Sequence, residues 1–427
     1  MTLGGGGTGW RAVVVGAGII GLMSAHHLRR RGFEVVVVDQ EGPERATTSY
    51  GNAGMIVPSH FVPLAAPGVV LQGIKWMANP KSPFYVKPRL SPDLLTWGWR
   101  FYRAGTARHV ASSSPLLLAL NLASRDEYVK LDAELGGGIG FERRGLTMLC
   151  ATQKGLDEEA HVAEMARALG SRANVLDAAG VRALEPDIEL NVVGGVHFPD
   201  DAHLDPGALM LALQAALIED GVEFRFGAHV IGFDRNAAGI LAVNIAAPRQ
   251  PEAIGGDVFV LAAGAWTGRL ARLLDMHVPM QPGKGYTLTL EQPPQRLAVP
   301  SILTEARVAV TRMGEKLRVG GTMELSGFNE DANEPRVQGI IEAALRYFPR
   351  LSANDFAEPA RWHGFRPLSP DGLPYLGAST HHRNLIVASG HGMMGVSLAP
   401  ITGKLVGELA AGEPTSVDVR ALAVERF

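Results

Sequence analysis

Two runs near the start of the chain, Ala12-Val13-Val14-Val15 and Val35-Val36-Val37-Val38, are apolar at every position and rich in valine. Unbroken apolarity over so few residues is the pattern of a strand buried on both faces in a parallel sheet. Between them the spacing becomes helical. From Ile19 to Arg31, the residues Leu22, Ala25, His26 and Leu28 can share one sheet-facing side. Arg29, Arg30 and Arg31 fall in the last turn of this helix, where cations suit the helix dipole, and Gly32 is placed to end it. The arginine run therefore reads as helix-end chemistry. The buried-strand pattern returns at Asp257–Ala263 and at Leu385–Ala388, the latter leading into helical spacing over Val396–Ala410. Further strands are predicted at Leu146–Ala151, Gly194–Phe198, Gly285–Leu290 and Leu317–Thr322. A helix is predicted at Pro206–Asp220, with Pro206 and Gly207 in its first turn and Gly221 beyond its end.

Length and composition narrow the picture. A chain of 427 residues is too long for one simple core, so two closely packed domains are expected. With 46% hydrophobic and 19% charged residues it is globular. The net charge is -3 and no long run of like charge appears, which argues against a nucleic-acid partner. The single cysteine, Cys150, excludes an internal disulfide, a cysteine zinc site and a cysteine-ligated iron–sulfur cluster. No metal site is predicted, and cysteine usage fits a reducing, cytoplasmic compartment. Cys150 lies in an apolar run and reads as a buried strand residue. Met1–Trp10 is glycine-rich without an apolar centre, so it is expected to be a flexible tail and not a signal peptide. No stretch reaches the roughly 18 apolar residues of a membrane span.

The first strand runs into Gly16-Ala17-Gly18-Ile19-Ile20-Gly21. In a G-x-G-x-x-G the glycines allow a tight turn, close approach of the backbone to a pyrophosphate, and close helix–strand packing. The second strand ends at Asp39, followed by Gln40, about 20 residues beyond the glycines, where a carboxylate accepts ribose hydroxyls. Strand, glycines, helix, strand and acid in one unit predict a bound dinucleotide. Three features favour FAD over NAD. The chain continues not into a regular βα alternation but into Thr47–Met55, a small, polar loop in which Ser49, Asn52, Ala53 and Gly54 can lie along a long cofactor. The Asp257–Ala263 strand ends in Gly264-Ala265-Trp266, a second point of backbone approach. Finally, Gly390-His391-Gly392-Met393-Met394-Gly395 is formally a second G-x-G-x-x-G, but no strand ending in an acid completes it. It reads better as a helix N-terminus aimed at the flavin ring, where the positive end would stabilise charge on the reduced ring. His391 can touch the ring or simply cap and pack.

These residues resemble the FAD-dependent amine and amino-acid oxidoreductases of the D-amino-acid oxidase superfamily, and within it the bacterial D-amino-acid dehydrogenases of small-subunit type. The likeness runs from about Val13 to about Leu409. It is carried by Gly51-Asn52-Ala53-Gly54, by Ala66-Pro67-Gly68-Val69 with Ile74-Lys75-Trp76-Met77, and by Lys284-Gly285-Tyr286-Thr287. Thr311-Arg312, Arg318-Val319-Gly320-Gly321, Gly327-Phe328-Asn329, Arg366-Pro367, Pro370-Asp371-Gly372 and Gly390-His391-Gly392 complete it.

The resemblance implies an α/β (α+β) fold: a doubly wound Rossmann-type FAD-binding domain interleaved with a substrate domain on a large mixed or antiparallel sheet. It divides as 1–84, 201–275 and 355–427 for FAD and 85–200 and 276–354 for substrate. Val230 is expected to join the FAD contacts, held without a covalent bond. The implied reaction moves a hydride from the α-carbon of a D-amino acid to flavin N5, giving a 2-oxo acid and ammonia, with electrons passed to a quinone or other non-oxygen acceptor. The arginine at the position of Arg366 holds the substrate carboxylate in the family, and Tyr286 is the best further candidate for a catalytic contact. Tyr50, His60, His363 and Met394 complete the expected pocket. Two departures matter: Val308 stands where some relatives place a tyrosine, and Met394 where another has a second arginine. Both make the pocket more apolar, suiting an aliphatic or ring side chain. Arg312 is read as a surface strand residue. Secondary amines or imino acids such as D-proline, D-hydroxyproline and sarcosine remain alternative substrates, and a non-catalytic flavin subunit is an alternative of another class. A quinone acceptor would place the protein on the inner face of the cytoplasmic membrane. There Trp97–Arg103, mixing aromatics with arginines, could rest on the bilayer or pack on the substrate domain.

Overall fold

The computed structural model describes residues 9–44, 47–246 and 251–427; most of the glycine-rich start, expected to be a flexible tail, lies outside the described residues. The valine-rich runs build the centre of a six-stranded sheet, in the order Tyr375–Ala378, Leu385–Ser389, Val258–Leu261, Arg11–Val15, Glu34–Val38, Glu223–Arg225. All pairings are parallel except that of the first two strands. The helix Ile19–Arg29 leaves the central strand and packs on the terminal helix Gly395–Ala411. Their backbones touch: a methyl on Gly403 would lie 2.4 Å from the Met23 carbonyl oxygen. The arginines at the end of the first helix do tie down neighbours. Arg29 Nε donates to the Asp220 carbonyl, Arg30 meets Glu134 and Arg31 meets Glu413. The predicted helix after Asp205 spans Pro206–Glu219, its first turn capped by Asp205 Oδ1.

The second sheet is large and mixed. Its order is Ala360–Leu368, Gln281–Leu290, Lys316–Leu325, Val308–Met313, Ser301–Leu303, Leu146–Cys150, Gly194–Phe198, Asn174–Asp177, with Phe84–Val86 beside Lys316–Leu325. The pairings of Ser301–Leu303 with Leu146–Cys150 and of Phe84–Val86 are parallel, the others antiparallel. Helix Glu334–Tyr347 covers one face, burying Val337, Ile340 and Tyr347 with Leu288, Val310 and Val319. Cys150 is fully buried in its strand.

Two segments sit differently from the expected division. Ala360–Leu368, beyond the boundary at 355, pairs with Gln281–Leu290 in the large sheet. Helix Ala107–Glu134, inside 85–200, packs on the terminal helix: Tyr128 Oη donates to the Val396 carbonyl and Ser124 Oγ to that of Ser397. Both exchanges bring one half of the molecule against the other.

Candidate active site

A cavity of about 1380 Å³ lies between the two sheets. Ordinary ligand pockets hold roughly 300–1000 Å³, so this one suits a long cofactor and a substrate together. At one end, the backbone of Gly16 turns with φ 108°, and a side chain there would strike the Ala262 carbonyl oxygen, 2.5 Å away. Asp39 holds the turn: Oδ2 accepts from Ala17 N at 2.6 Å and Oδ1 from Glu41 N at 2.9 Å. Gly18, Gln40 and Val230 line the same end. Ser49 Oγ accepts from Ile19 N at 3.0 Å and so fastens the Thr47–Met55 loop to the start of the first helix. Asn52 and Ala53 face the cavity. Arg318, not singled out from sequence as a site residue, fixes this loop from the large sheet, donating to the carbonyls of Tyr50 and Asn52 at 2.9 and 2.7 Å.

Three predicted contact glycines do not line the cavity. Gly21 permits close packing, since a methyl there would lie 1.8 Å from the Gly16 carbonyl oxygen. Gly54 and Gly390 similarly make room for the Leu204 carbonyl and the Tyr375 ring. Their effect on a cofactor is through the shape of the backbone.

Further along, Gly264, Trp266, His391, Gly392, Met393 and Met394 form the wall. The helix Gly395–Ala411 begins here without a side-chain cap, so its first N–H groups point their positive end at the cavity. The His391 ring is held by Thr402 Oγ1, 3.0 Å from Nε2. Burial lowers its pKa to about 3, which keeps it neutral.

Arg366 occupies the large-sheet side. Its guanidinium is enclosed by protein but open to the cavity, and Nη1 donates to the Thr322 carbonyl at 2.8 Å. Among the described residues no carboxylate pairs with it. Burial lowers its pKa to about 10, so it stays cationic at neutral pH. Gly285 opposite is required for this placement: a methyl there would lie 1.8 Å from Nη1. Trp362, two residues before Gly364, also lines the cavity and was missed from sequence. Its ring fits between Gly51 and Gly364, either of which would collide with it if substituted. The paired glycines were the available signal, legible only once the strand was placed.

Of the other candidates, His60 and Met394 line the cavity. His363 stands in its wall, its Nε2 2.8 Å from Glu330 Oε2. Tyr50 does not line it; its ring packs with the core near Gly207. Tyr286 is a correction. Its side chain is buried away from the cavity, its hydroxyl bonded to Glu324 Oε2 and accepting from Asn333 N. Thr287, the next residue, faces the cavity instead. Val308 is buried outside the cavity, and Arg312 lies on the strand Val308–Met313, as expected a partly exposed strand residue, with Nε donating to the Gly314 carbonyl. At the mouth, helices Val69–Met77 and Pro92–Ala104 expose Leu71, Ile74, Leu95, Trp99 and Tyr102. Trp97 turns inward and donates to the Leu368 carbonyl at 2.9 Å. Among the described residues no helix is long and apolar enough to cross a membrane.

A doubly wound sheet joined to a large mixed sheet across a cavity, with an arginine that has no carboxylate partner among the described residues, is the arrangement of a dinucleotide-dependent oxidoreductase. The chain belongs to the DAO family, described as FAD dependent oxidoreductase, which matches residues 11–409. It is 32% identical over 424 residues to a D-amino acid dehydrogenase of Granulibacter bethesdensis, covering 98% of this chain and 99% of the relative. The fold is similar to glycine oxidase from Geobacillus kaustophilus, with TM-score 0.77 and 21% identity over 99% of this chain and 100% of that one. It is also similar to L-proline dehydrogenase from P. horikoshii, with TM-score 0.73 and 17% identity over 98% and 97% of the chains.

The protein is thus an FAD-dependent enzyme. Its own residues fit the cofactor: the Gly16 turn leaves no room for a side chain, Asp39 stands beside it, and the cavity runs on to a second uncapped helix start.

Proposed function

We propose that the protein is an amino-acid dehydrogenase that converts D-amino acids to 2-oxo acids and ammonia and passes the electrons to a quinone or another non-oxygen acceptor. The observation that carries this reading is the Arg366 guanidinium, which faces the cavity and has no carboxylate partner among the described residues. A buried cation without a counterion is costly, and a substrate carboxylate would complete it with two parallel charge-assisted hydrogen bonds. The relatives named D-amino acid dehydrogenase support the substrate class. Bound FAD, held without a covalent bond, supplies the two-electron acceptor. Around the anchor, Trp362 and Met394 present apolar surface to the substrate side chain and keep water from it. The domain division we propose moves Ala360–Leu368 to the substrate side and helix Ala107–Glu134 to the FAD side, a change supported by their strand pairing and their packing on the terminal helix. The apolar residues around the mouth offer an approach for a lipid-borne acceptor and a surface for peripheral contact with a membrane.

The test is anaerobic mixing of the yellow protein with D- and L-amino acids, D-proline and sarcosine. Bleaching of the flavin band by D-amino acids is expected; bleaching by D-proline or sarcosine alone would move the reading to secondary amines, and no bleaching would favour a non-catalytic subunit. Arg366→Ala should keep FAD while KM rises or flavin reduction is lost. Unchanged kinetics would remove Arg366 from this role.

A further inference from the structure

The cavity wall contains one neutral base that is wired to a buried carboxyl group. His60 lines the cavity, and its Nδ1 lies 3.0 Å from Ser59 Oγ. Ser59 Oγ in turn is 2.5 Å from Asp201 Oδ2, while Ser59 N donates to Asp201 Oδ1 at 3.0 Å. Asp201 is 1% exposed and has no ion-pair partner among the described residues. Its charged neighbours are Asp200 and Arg125, and Asp200 is itself held by Arg125 and Arg172. The charge facing His60 is Arg307.

Of the other titratable groups of the wall, Glu41, Tyr102 and His229 are exposed to solvent, and the rest are committed elsewhere. His363 is paired with Glu330, Asp39 holds the glycine turn, and the ring of His391 ends at Thr402. Arg366, Arg307 and Arg269 are cations.

An amino acid enters at neutral pH as a zwitterion. A hydride can leave its α-carbon only when the nitrogen has a free electron pair to form the C=N bond, so the ammonium must first lose a proton. We propose that this proton passes to His60 Nε2 and onward through Ser59 to Asp201, which makes His60 a catalytic base and Ser59 and Asp201 its positioning and accepting partners. The inference rests on the amino-acid reading above. The balance is simple. The ammonium N–H bond breaks and its electron pair stays on nitrogen. The Nδ1 proton of His60 moves to Ser59 Oγ, and the hydroxyl proton moves to Asp201 Oδ2. The imidazole ends neutral in its other tautomer, and the net products are a neutral amine and a neutral carboxyl group.

The electrostatics suit each role. Burial, aided by Arg307, lowers His60 to about 4, so it acts as a conduit and not as the final acceptor. Burial pushes Asp201 up to about 8, close enough to an ammonium group for the transfer to be reversible and fast. Ionised Asp201 orders the chain so that Nε2 is the acceptor; protonated Asp201 reverses it and turns Nε2 into a donor.

The experiment compares holo-protein with Ser59→Ala, His60→Gln and Asp201→Asn, each checked for FAD content. Anaerobic flavin reduction by sub-saturating D-alanine is followed across the pH range. In the wild type the rate should rise through an apparent pKa near 8. Ser59→Ala and His60→Gln should lose that limb and fall roughly 100-fold near neutrality, the lower end of general-base contributions. A limb due to substrate ammonium alone would persist in all variants. A second readout needs no turnover: the infrared stretch of a protonated carboxyl group should titrate near pH 8 in the oxidised protein and vanish in Asp201→Asn. If wild type is bleached by D-alanine but Ser59→Ala and His60→Gln keep its rate and pH profile, the relay is overturned and the functional reading survives. If no amino acid bleaches the wild type, the functional reading falls and the relay falls with it.

Discussion

The carbonyl oxygen of Thr322 accepts a hydrogen bond from Arg366 Nη1 at 2.8 Å, and Thr322 reaches that position with φ 69°. A left-handed conformation is costly for a β-branched residue and persists where the surroundings demand it. Here it turns one carbonyl toward a guanidinium that has no carboxylate partner among the described residues. One hydrogen bond holds the fork in place and leaves the rest of it open to the cavity.

Gly285→Ala tests that placement without touching Arg366 chemically. The added methyl would lie 1.8 Å from Nη1, and the guanidinium, as the end of a flexible side chain, would move. FAD content and Tm should change little, while kcat/KM falls roughly tenfold or more, as small misplacements of a substrate anchor do. Steady-state kinetics beside a melting curve would show it; an unchanged kcat/KM would place the substrate carboxylate elsewhere.

Asp39→Ala removes the acceptor of two backbone N–H groups, Ala17 N and Glu41 N. Each hydrogen bond to a charged group is worth about 1.5–3 kcal/mol. FAD affinity, measured by titrating apoprotein with the cofactor, should fall roughly 10- to 100-fold. Asp39→Asn, which retains an acceptor oxygen, should lose less.

Asp201 links stability to pH. Its carboxyl is raised from 3.8 to about 8 by burial, so the folded chain binds that proton more tightly than the unfolded chain. The resulting stabilisation is complete below about pH 4 and is lost as pH rises through about 8. The Tm of the wild type, relative to Asp201→Asn, should therefore decline across this interval. At about 1.4 kcal/mol per pKa unit the change is on the order of a few kcal/mol. A constant difference in Tm between the two proteins would contradict the shift.

Cys150 should be inert. Burial raises its thiol to about 12, and the side chain is fully covered. Only the thiolate reacts, so the native protein should resist alkylation even at mildly alkaline pH, with one thiol labelled per chain after denaturation. Labelling of the folded protein at the rate of a free thiol would show that its strand opens.

The sequence by itself determined the nucleotide half. Gly16, Gly18, Gly21 and Asp39 belong to one strand–helix–strand unit, so local spacing was enough to place a dinucleotide. The Gly390–Gly395 turn was legible for the same reason, and Arg366 through a short contiguous segment. Which side chains line the cavity follows from the tertiary structure alone. In a strand, neighbouring residues point to opposite faces. Alternation cannot say which face meets a cavity, so Thr287 lines it while Tyr286 turns to Glu324. Only the pairing of Ala360–Leu368 with Gln281–Leu290 shows that Gly285 yields its space to Arg366 and that Trp362 lies between Gly51 and Gly364. The link from His60 through Ser59 to Asp201 likewise joins residues far apart in the chain. No local pattern encodes such a contact, because it forms only when Met55–Ile56 pairs with Ala202–His203.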